Sequence, residues 1–344
     1  MGKTQRVVRW LGIAGVVAGV GATAPAATAQ TVLTTCGPVG PGEYVLDANL
    51  AVAGDCFTIT GDNVSIDLGG KTLTGNGSGA AVTDGGVMRS HLAFHNGKIR
   101  GFAIGINLPM SGHVTLTKIA VSDNVAEGIL IGECCNTLTA VKADGNGQDG
   151  VLILECCNTV IKSAAKDNGD DGFDLQNCCT TIDKSKSVDN ADAGFTLTSC
   201  CNFINASTAS GNDGAGVVAT GCCNVLTASK VRKNGGDGVF MSGCCNLLVG
   251  STMTNNDGRG AALVDGDNQA VACKLSKNGD IGLDLSDDTG NSVTASQASG
   301  NGAAGVSIMC PGNLVALKVK SNVGPDLLQD TSGGDCTHLG FKVP

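Results

Sequence analysis

Five aspartates fall close together in the middle of the chain. Asp149 stands in "QDG", Asp170, Asp171 and Asp174 in "NGDDGFDL", and Asp192 in "NADAG". Carboxylates brought this near to one another repel unless a cation or shared protons intervene. The plainer reading is turn chemistry, because D-G is a common turn in short-stranded proteins. A second group is the run of adjacent cysteines, Cys134–Cys135, Cys156–Cys157, Cys178–Cys179, Cys200–Cys201, Cys222–Cys223 and Cys244–Cys245, repeating every 22 residues without drift. Thiols at fixed spacing can cross-link, fill an apolar interior, or bind soft metals.

The elements that must hold these groups follow from the repeat. Asn or Thr follows each pair, at Asn136, Asn158, Thr180, Asn202, Asn224 and Asn246, and continues to Asn268, Asn291 and Asn313. A second asparagine column runs through Asn146, Asn168, Asn190, Asn212 and Asn234, and a glycine column through Gly150, Gly172, Gly194, Gly216 and Gly238. Between them lie alternating runs such as "GFDLQ", "GFTLT" and "GVFMS", which read as strands. Asn and Gly at fixed offsets are turn residues, since both tolerate left-handed backbone angles. Three short strands and three turns per 22 residues make one triangular coil. Stacked coils put equivalent residues ~4.8 Å apart, so buried asparagines can satisfy one another's amides.

On that frame, two adjacent extended residues point to opposite faces. One cysteine column is therefore expected inside and the other outside, with neighbouring coils cross-linked or the inner sulfurs acting as filler. A bridge between coils closes a loop of about 22 residues and contributes ~3 kcal/mol. Soft-metal binding is the alternative, but His91, His95, His113 and His338 are the only histidines and none lies in a cysteine-paired unit. Cys36 and Cys56 bracket an N-terminal cap, and Cys310 and Cys336 are placed to close the other end. The total of 17 is odd, and Cys273, in a column otherwise held by serine, is the expected unpaired thiol.

Residues 1–29 read as a secretory signal: a basic start with Lys3, Arg6 and Arg9, an apolar run, then small residues Ala27 and Ala29. Removing them takes the formal charge from −9 to −12, because three basic residues and no acidic ones are lost. An acidic exported chain argues against nucleic acid as partner. No further stretch is long and apolar enough for a membrane span. The expected organisation is a signal at 1–29, an N-terminal cap at 30–60, the coils at 61–330 and a C-terminal cap or tail at 331–344. The expected location is extracellular or periplasmic.

The pattern N-x-φ…N…G-φ-x-φ, with "GDNVSIDLGGKTLTG" and "NGKIRGFAIGINL" as entry coils, resembles the right-handed parallel β-helix repeat of pectate-lyase-like and NosD-type proteins. The resemblance implies an all-β, single-domain solenoid of about a dozen coils. "QDG" with "NGDDGFDL" is similar to the calcium motif of the family nine pectate lyases. It implies Asp149, Asp170, Asp171 and Asp174 as calcium ligands and an acidic polysaccharide as partner. The same resemblance puts the catalytic base in the "GFTLT" segment, where Thr196 stands. A threonine hydroxyl stays protonated near neutrality and cannot be that base, and Lys184 and Lys186 belong to another side of the coil.

In the strand after each glycine, Phe173 and Leu175, Phe195 and Leu197, and Val239 and Met241 are expected inward. Leu152, Asp174, Thr196, Val218, Phe240, Ala262 and Asp284 are expected outward. The leading expectation is a non-catalytic, carbohydrate-associated β-helix that binds calcium. The rivals are a calcium-dependent polyuronide lyase and a purely structural or adhesive surface protein.

Overall fold

Gly150, Gly172 and Gly194 each lead into a three-residue strand, Val151–Ile153, Phe173–Leu175 and Phe195–Leu197, with buried outer residues and a half-exposed middle one. These strands pair in parallel register, Val151 to Phe173 to Phe195, and so place one coil on the next. The computed structural model describes residues 30–340, so the expected signal at 1–29 and the last four residues lie outside the described residues.

Each coil has three strands. The strands that follow the glycine column form a first face of 14 parallel strands. The other two faces join into one 26-stranded sheet. They join because Arg89–Arg100 and Ser111–Ser122 run unbroken across the corner that later coils turn sharply. Among the described residues there is no helix. The fold is a single parallel β-helix.

The segment expected as an N-terminal cap already pairs as a coil, with Gly37–Val39 against Phe57–Ile59 and Gly42–Leu46 against Val64–Asp67. At the other end Thr337–Leu339 pairs with Asn313–Val315. Cys36 is bonded to Cys56 and Cys310 to Cys336, with Cα separations of 4.6 and 5.0 Å.

The interior is filled by columns of equivalent residues. Phe173 stacks on Phe195 with ring centroids 5.3 Å apart. Two asparagine ladders flank the first face. In one, the Asn146 amide group donates to Asn168 Oδ1 at 3.0 Å, and Asn168 donates to Asn190 at 2.9 Å. Each Oδ1 also accepts the backbone N–H of the residue one coil before it. Buried amides are thereby satisfied without water. The glycine column is forced by this ladder: a Cβ on Gly150 would sit 2.7 Å from both Asn168 Nδ2 and the Gly172 carbonyl oxygen.

In the other ladder Asn136 donates to Asn158 at 3.0 Å, but Thr180 interrupts the run and its buried Oγ1 has no partner. Asn313 also departs from expectation. It opens the strand Asn313–Val315, paired with Ser292 and exposed, so this ladder ends at Asn291.

Candidate acidic site and thiol edge

The turn that enters the first face runs from the Asn146 ladder to the glycine column; Asp170 and Asp192 are exposed at its tip, and Asp149 is buried at its base. Where an aspartate stands just before the glycine it has a structural task. Asp149 Oδ1 accepts the backbone N–H of Asp171 at 3.0 Å, and Asp171 Oδ1 accepts that of Ala193 at 2.7 Å. Asp237 does the same for Arg259 at 2.7 Å. An aspartate here ties one coil to the next, so turn chemistry accounts for one oxygen of each.

It does not account for the rest. Asp170, Asp171 and Asp192 each present a carboxylate oxygen, and these lie within 4.8 Å of one another. Asp174, on the adjoining strand, accepts from Gln176 Nε2 at 3.0 Å through Oδ2, while its buried Oδ1 has no hydrogen-bond partner. Asp149 is buried one coil below. Among the described residues none of the five forms an ion pair. The contrast is Asp237, whose Oδ2 receives both Nε and Nη2 of Arg259, while Nη1 reaches Asp284 at 3.0 Å. That acidic pair has its cation within the chain.

The electrostatics follow from burial without a counter-charge. Burial, then the charges of Asp171 and Asp174, push the Asp149 carboxyl up to about 7. Burial pushes Asp171 up to about 6, against hydrogen bonds from Thr196 and the Ala193 amide. Asp174 is raised as well, mainly by burial. Hard oxygen donors, one of them orphaned, suit a calcium ion, and the donors left free fit that ion. The clustered set is Asp170, Asp171 and Asp192 with Asp174 alongside. Asp149 stands behind it, joined to Asp171 through the backbone.

Thr196 pairs with Asp174 across the first face, and its hydroxyl interacts with Asp171. The position where the lyase resemblance puts a base therefore supports a candidate ligand. Lys184 is paired with Asp183 at 2.8 Å on the second face, and Lys186 opens a strand of the third. The outward column of the first face runs as expected from Leu152 through Asp284, except that Ala262 is buried.

The cysteine pairs form the opposite edge of the first face. Here the expectation of one inward and one outward column fails. The first cysteine of each pair is half-buried and the second exposed, and all twelve are free thiols. The cause is local. Cys135, Cys157, Cys179, Cys201, Cys223 and Cys245 all have left-handed φ, between 61° and 67°. The turn thus swings both side chains outward and leaves the inward place to the asparagine that follows. Sulfurs nearly touch within a pair at Cys134–Cys135, 3.0 Å, and between coils at Cys222–Cys244, 2.8 Å.

The same turn column holds His91 and His113 in the preceding coils, their rings stacked at 5.0 Å. Sequence reading missed that continuity because these coils lack the Cys-Cys signature. Cys273 is buried and its thiol donates to the Leu248 and Val271 carbonyls.

Comparison with known proteins agrees with this geometry. A family model described as "Right handed beta helix region" matches residues 127–272 and 194–337. No curated protein sequence matches the chain. Among solved structures, the Mannuronan C-5 epimerase AlgE6 A-module of Azotobacter vinelandii is similar with a TM-score of 0.61 and 13% identity, over 92% of this chain and 91% of that one. A mutant of the periplasmic alginate epimerase AlgG is similar with a TM-score of 0.53 and 13% identity, over 87% and 79%. Pectate lyase Pel9A aligns at 16% identity over 86% and 74%, with a TM-score of 0.41. The two family matches together span residues 127–337, more than half of the chain, and the protein belongs to the right-handed β-helix family.

Proposed function

We propose that the protein is an exported, carbohydrate-associated β-helix that binds calcium at the aspartate turn and does not turn its ligand over. The observation that carries the calcium reading is the orphaned, buried Oδ1 of Asp174 beside the Asp170–Asp171–Asp192 cluster, in a site without a cation of its own. Asp170, Asp171, Asp174 and Asp192 would hold the ion. It would supply positive charge that neutralises the cluster and offers free coordination positions to a carboxylated sugar. Thr196, whose hydroxyl lies beside the Asp171 carboxylate, stays protonated near neutrality and is no base. The carbohydrate reading leans on the fold, since the structural neighbours are named for mannuronan and alginate epimerisation, and fold-level analogy is its warrant. Export to an oxidising compartment is supported by the bonded cysteines at both ends.

The test is thermal unfolding in chelator and in calcium, with and without an acidic polysaccharide, alongside ultraviolet absorbance for unsaturated uronide. The expected result is a rise in Tm with calcium, a further rise with polysaccharide, loss of the calcium effect in Asp171→Asn and Asp174→Asn, and no absorbance change. A calcium-dependent absorbance rise would make the protein a lyase with its base elsewhere than Thr196. No response to calcium would reduce the aspartates to turn residues.

A further inference from the structure

The third face of the solenoid carries a charge pattern that the acidic site does not use. Its strands are three residues long, with the middle residue inward. Strand register puts the first residues of these strands, and their equivalents in the long early strands, in one outward column. That column carries Lys98, Lys142, Lys186, Lys230, Lys274 and Lys318, one on every second coil. The alternate places between Lys98 and Lys318 are Ala120, Ala164, Thr208, Thr252 and Gln297. All six lysines are exposed, and among the described residues none forms an ion pair. At a coil rise of ~4.8 Å the ammonium groups recur every ~9.6 Å over ~48 Å. The third residues of the same strands add Arg100, Lys166, Arg232 and Lys320, and one acid, Asp144 beside Lys142. Small side chains between cations leave shallow grooves, one lined by Lys230, Arg232, Thr252 and Thr254.

A solvated surface stripe would look different. Like charges directly opposite on neighbouring strands are unfavourable and opposite charges favourable, and this chain has 31 acidic residues to place between its lysines. None of the five intervening places holds one. Doubling the lysine spacing halves the Coulomb repulsion and takes it past the ~8 Å screening length. The lysine column is thus a row of cations without ion pairs on a chain of net charge −9, and Asp144 is the one acid on the outward columns of this face from Lys98 to Lys320. Lysine ammonium groups act as point charges. Binding of single-stranded nucleic acid also relies on aromatic platforms for the bases, and neither outward column of this face, from Lys98 to Lys320, holds an aromatic residue.

We propose that this face binds a linear carboxylated polysaccharide, laid along the solenoid axis with its carboxylates in step with the lysines. The proposal deepens the carbohydrate reading above by giving the polymer a surface separate from the calcium turn. A polymer with charges at one or two coil rises, ~4.8 or ~9.6 Å, stays in register over the whole row. Each contact is weak because exposed, and affinity comes from their number.

The experiment measures binding of sodium alginate and sodium polygalacturonate in chelator, with dextran and a single-stranded oligonucleotide as comparisons. Wild type is expected to bind both uronans and not dextran. The triple variant Lys142→Gln, Lys186→Gln, Lys230→Gln is expected to weaken binding by about tenfold or more, and added salt to weaken it further. The control triple Lys162→Gln, Lys233→Gln, Lys277→Gln removes the same charge from the corners and is expected to cost less than about threefold. The charge-neutral exchange Lys186→Thr with Thr208→Lys breaks the spacing alone and is expected to weaken binding. All three are expected to keep wild-type Tm, since the lysines are exposed and Thr208 is an outward, half-exposed residue. Absence of uronan binding, equal effects of the two triples, an exchange without effect, or tighter binding to the oligonucleotide overturns the proposal. Binding is read in chelator and the calcium response as a Tm shift without polymer, so failure of the calcium site and failure of the lysine row are separately visible.

Discussion

At the scale of single residues, the thiol edge and the aspartate turn both show neighbours setting a proton's affinity. The Cys135 thiol donates to Cys134 sulfur, and that bond, with burial and neighbouring sulfurs adding to it, pushes Cys135 up to about 11. Its thiolate is scarcer than an ordinary one at pH 8, and its greater intrinsic nucleophilicity recovers only part of the loss, leaving alkylation about tenfold slower. Cys134→Ala is expected to restore an ordinary rate, read by mass spectrometry of the peptide after timed iodoacetamide labelling. The aspartates give a dependence of the opposite practical sense. Asp149 and Asp171, raised to about 7 and about 6, hold protons in the folded state that the unfolded chain releases near pH 4. Their contribution is fully present below pH ~4 and is lost as pH rises through ~6 to ~7. In chelator, Tm is expected to fall across that window, and Asp149→Asn to flatten the fall. Calcium is expected to raise Tm most at the high end, where the carboxylates are ionised.

At the scale of the coil, a buried ladder is as good as its weakest rung. Thr180 occupies an asparagine position, and its Oγ1 is buried without a partner between Asn158 and Asn202. Thr180→Asn supplies the missing amide in a space its neighbours show to fit one. It is expected to stabilise by about 1 kcal/mol, the usual worth of a buried hydrogen bond, seen as a rise in chemical denaturation midpoint at unchanged slope. The ladders, the glycine column and the three-strand coil were legible in the sequence because solenoid stacking turns a spacing of 22 residues into direct contact. The cysteine turn was misread for a local reason: alternation of faces assumes extended backbone, and the second cysteine is left-handed. Asp192 was visible beside the other aspartates, but its closeness to Asp170 depends on the shape of the turn. The lysine row is a 44-residue recurrence from Lys98 to Lys274. It gains meaning only when strand register puts those positions on one outward column.

At the scale of the molecule, a solenoid is stable through contacts between neighbouring coils, so its ends are where it opens. Both ends here are tied by a disulfide: Cys36–Cys56 joins the first coil to the start of the second over a separation of 20 residues, and Cys310–Cys336 ties the last over 26. Closing loops of this length is worth ~3 kcal/mol each in the chain-entropy model, enough to suppress fraying of a terminal coil that has a neighbour on one side only. The free thiols of the central edge join nothing, and the central coils are held from both sides. Reduction is therefore expected to act on the ends and not on the middle. Limited proteolysis of reduced protein should first release fragments from residues 30–60 and from beyond Cys310, leaving a protected core that includes all six cysteine pairs. The same digestion of unreduced protein should leave the described chain whole. If the first cuts after reduction instead fall within residues 134–245, the thiol edge itself is bridged in the mature protein and carries the stability assigned here to the caps. Cys36→Ser with Cys56→Ser separates the two cases. It should reproduce the N-terminal release without any reductant, because it removes that tie and leaves every thiol of the central edge unchanged.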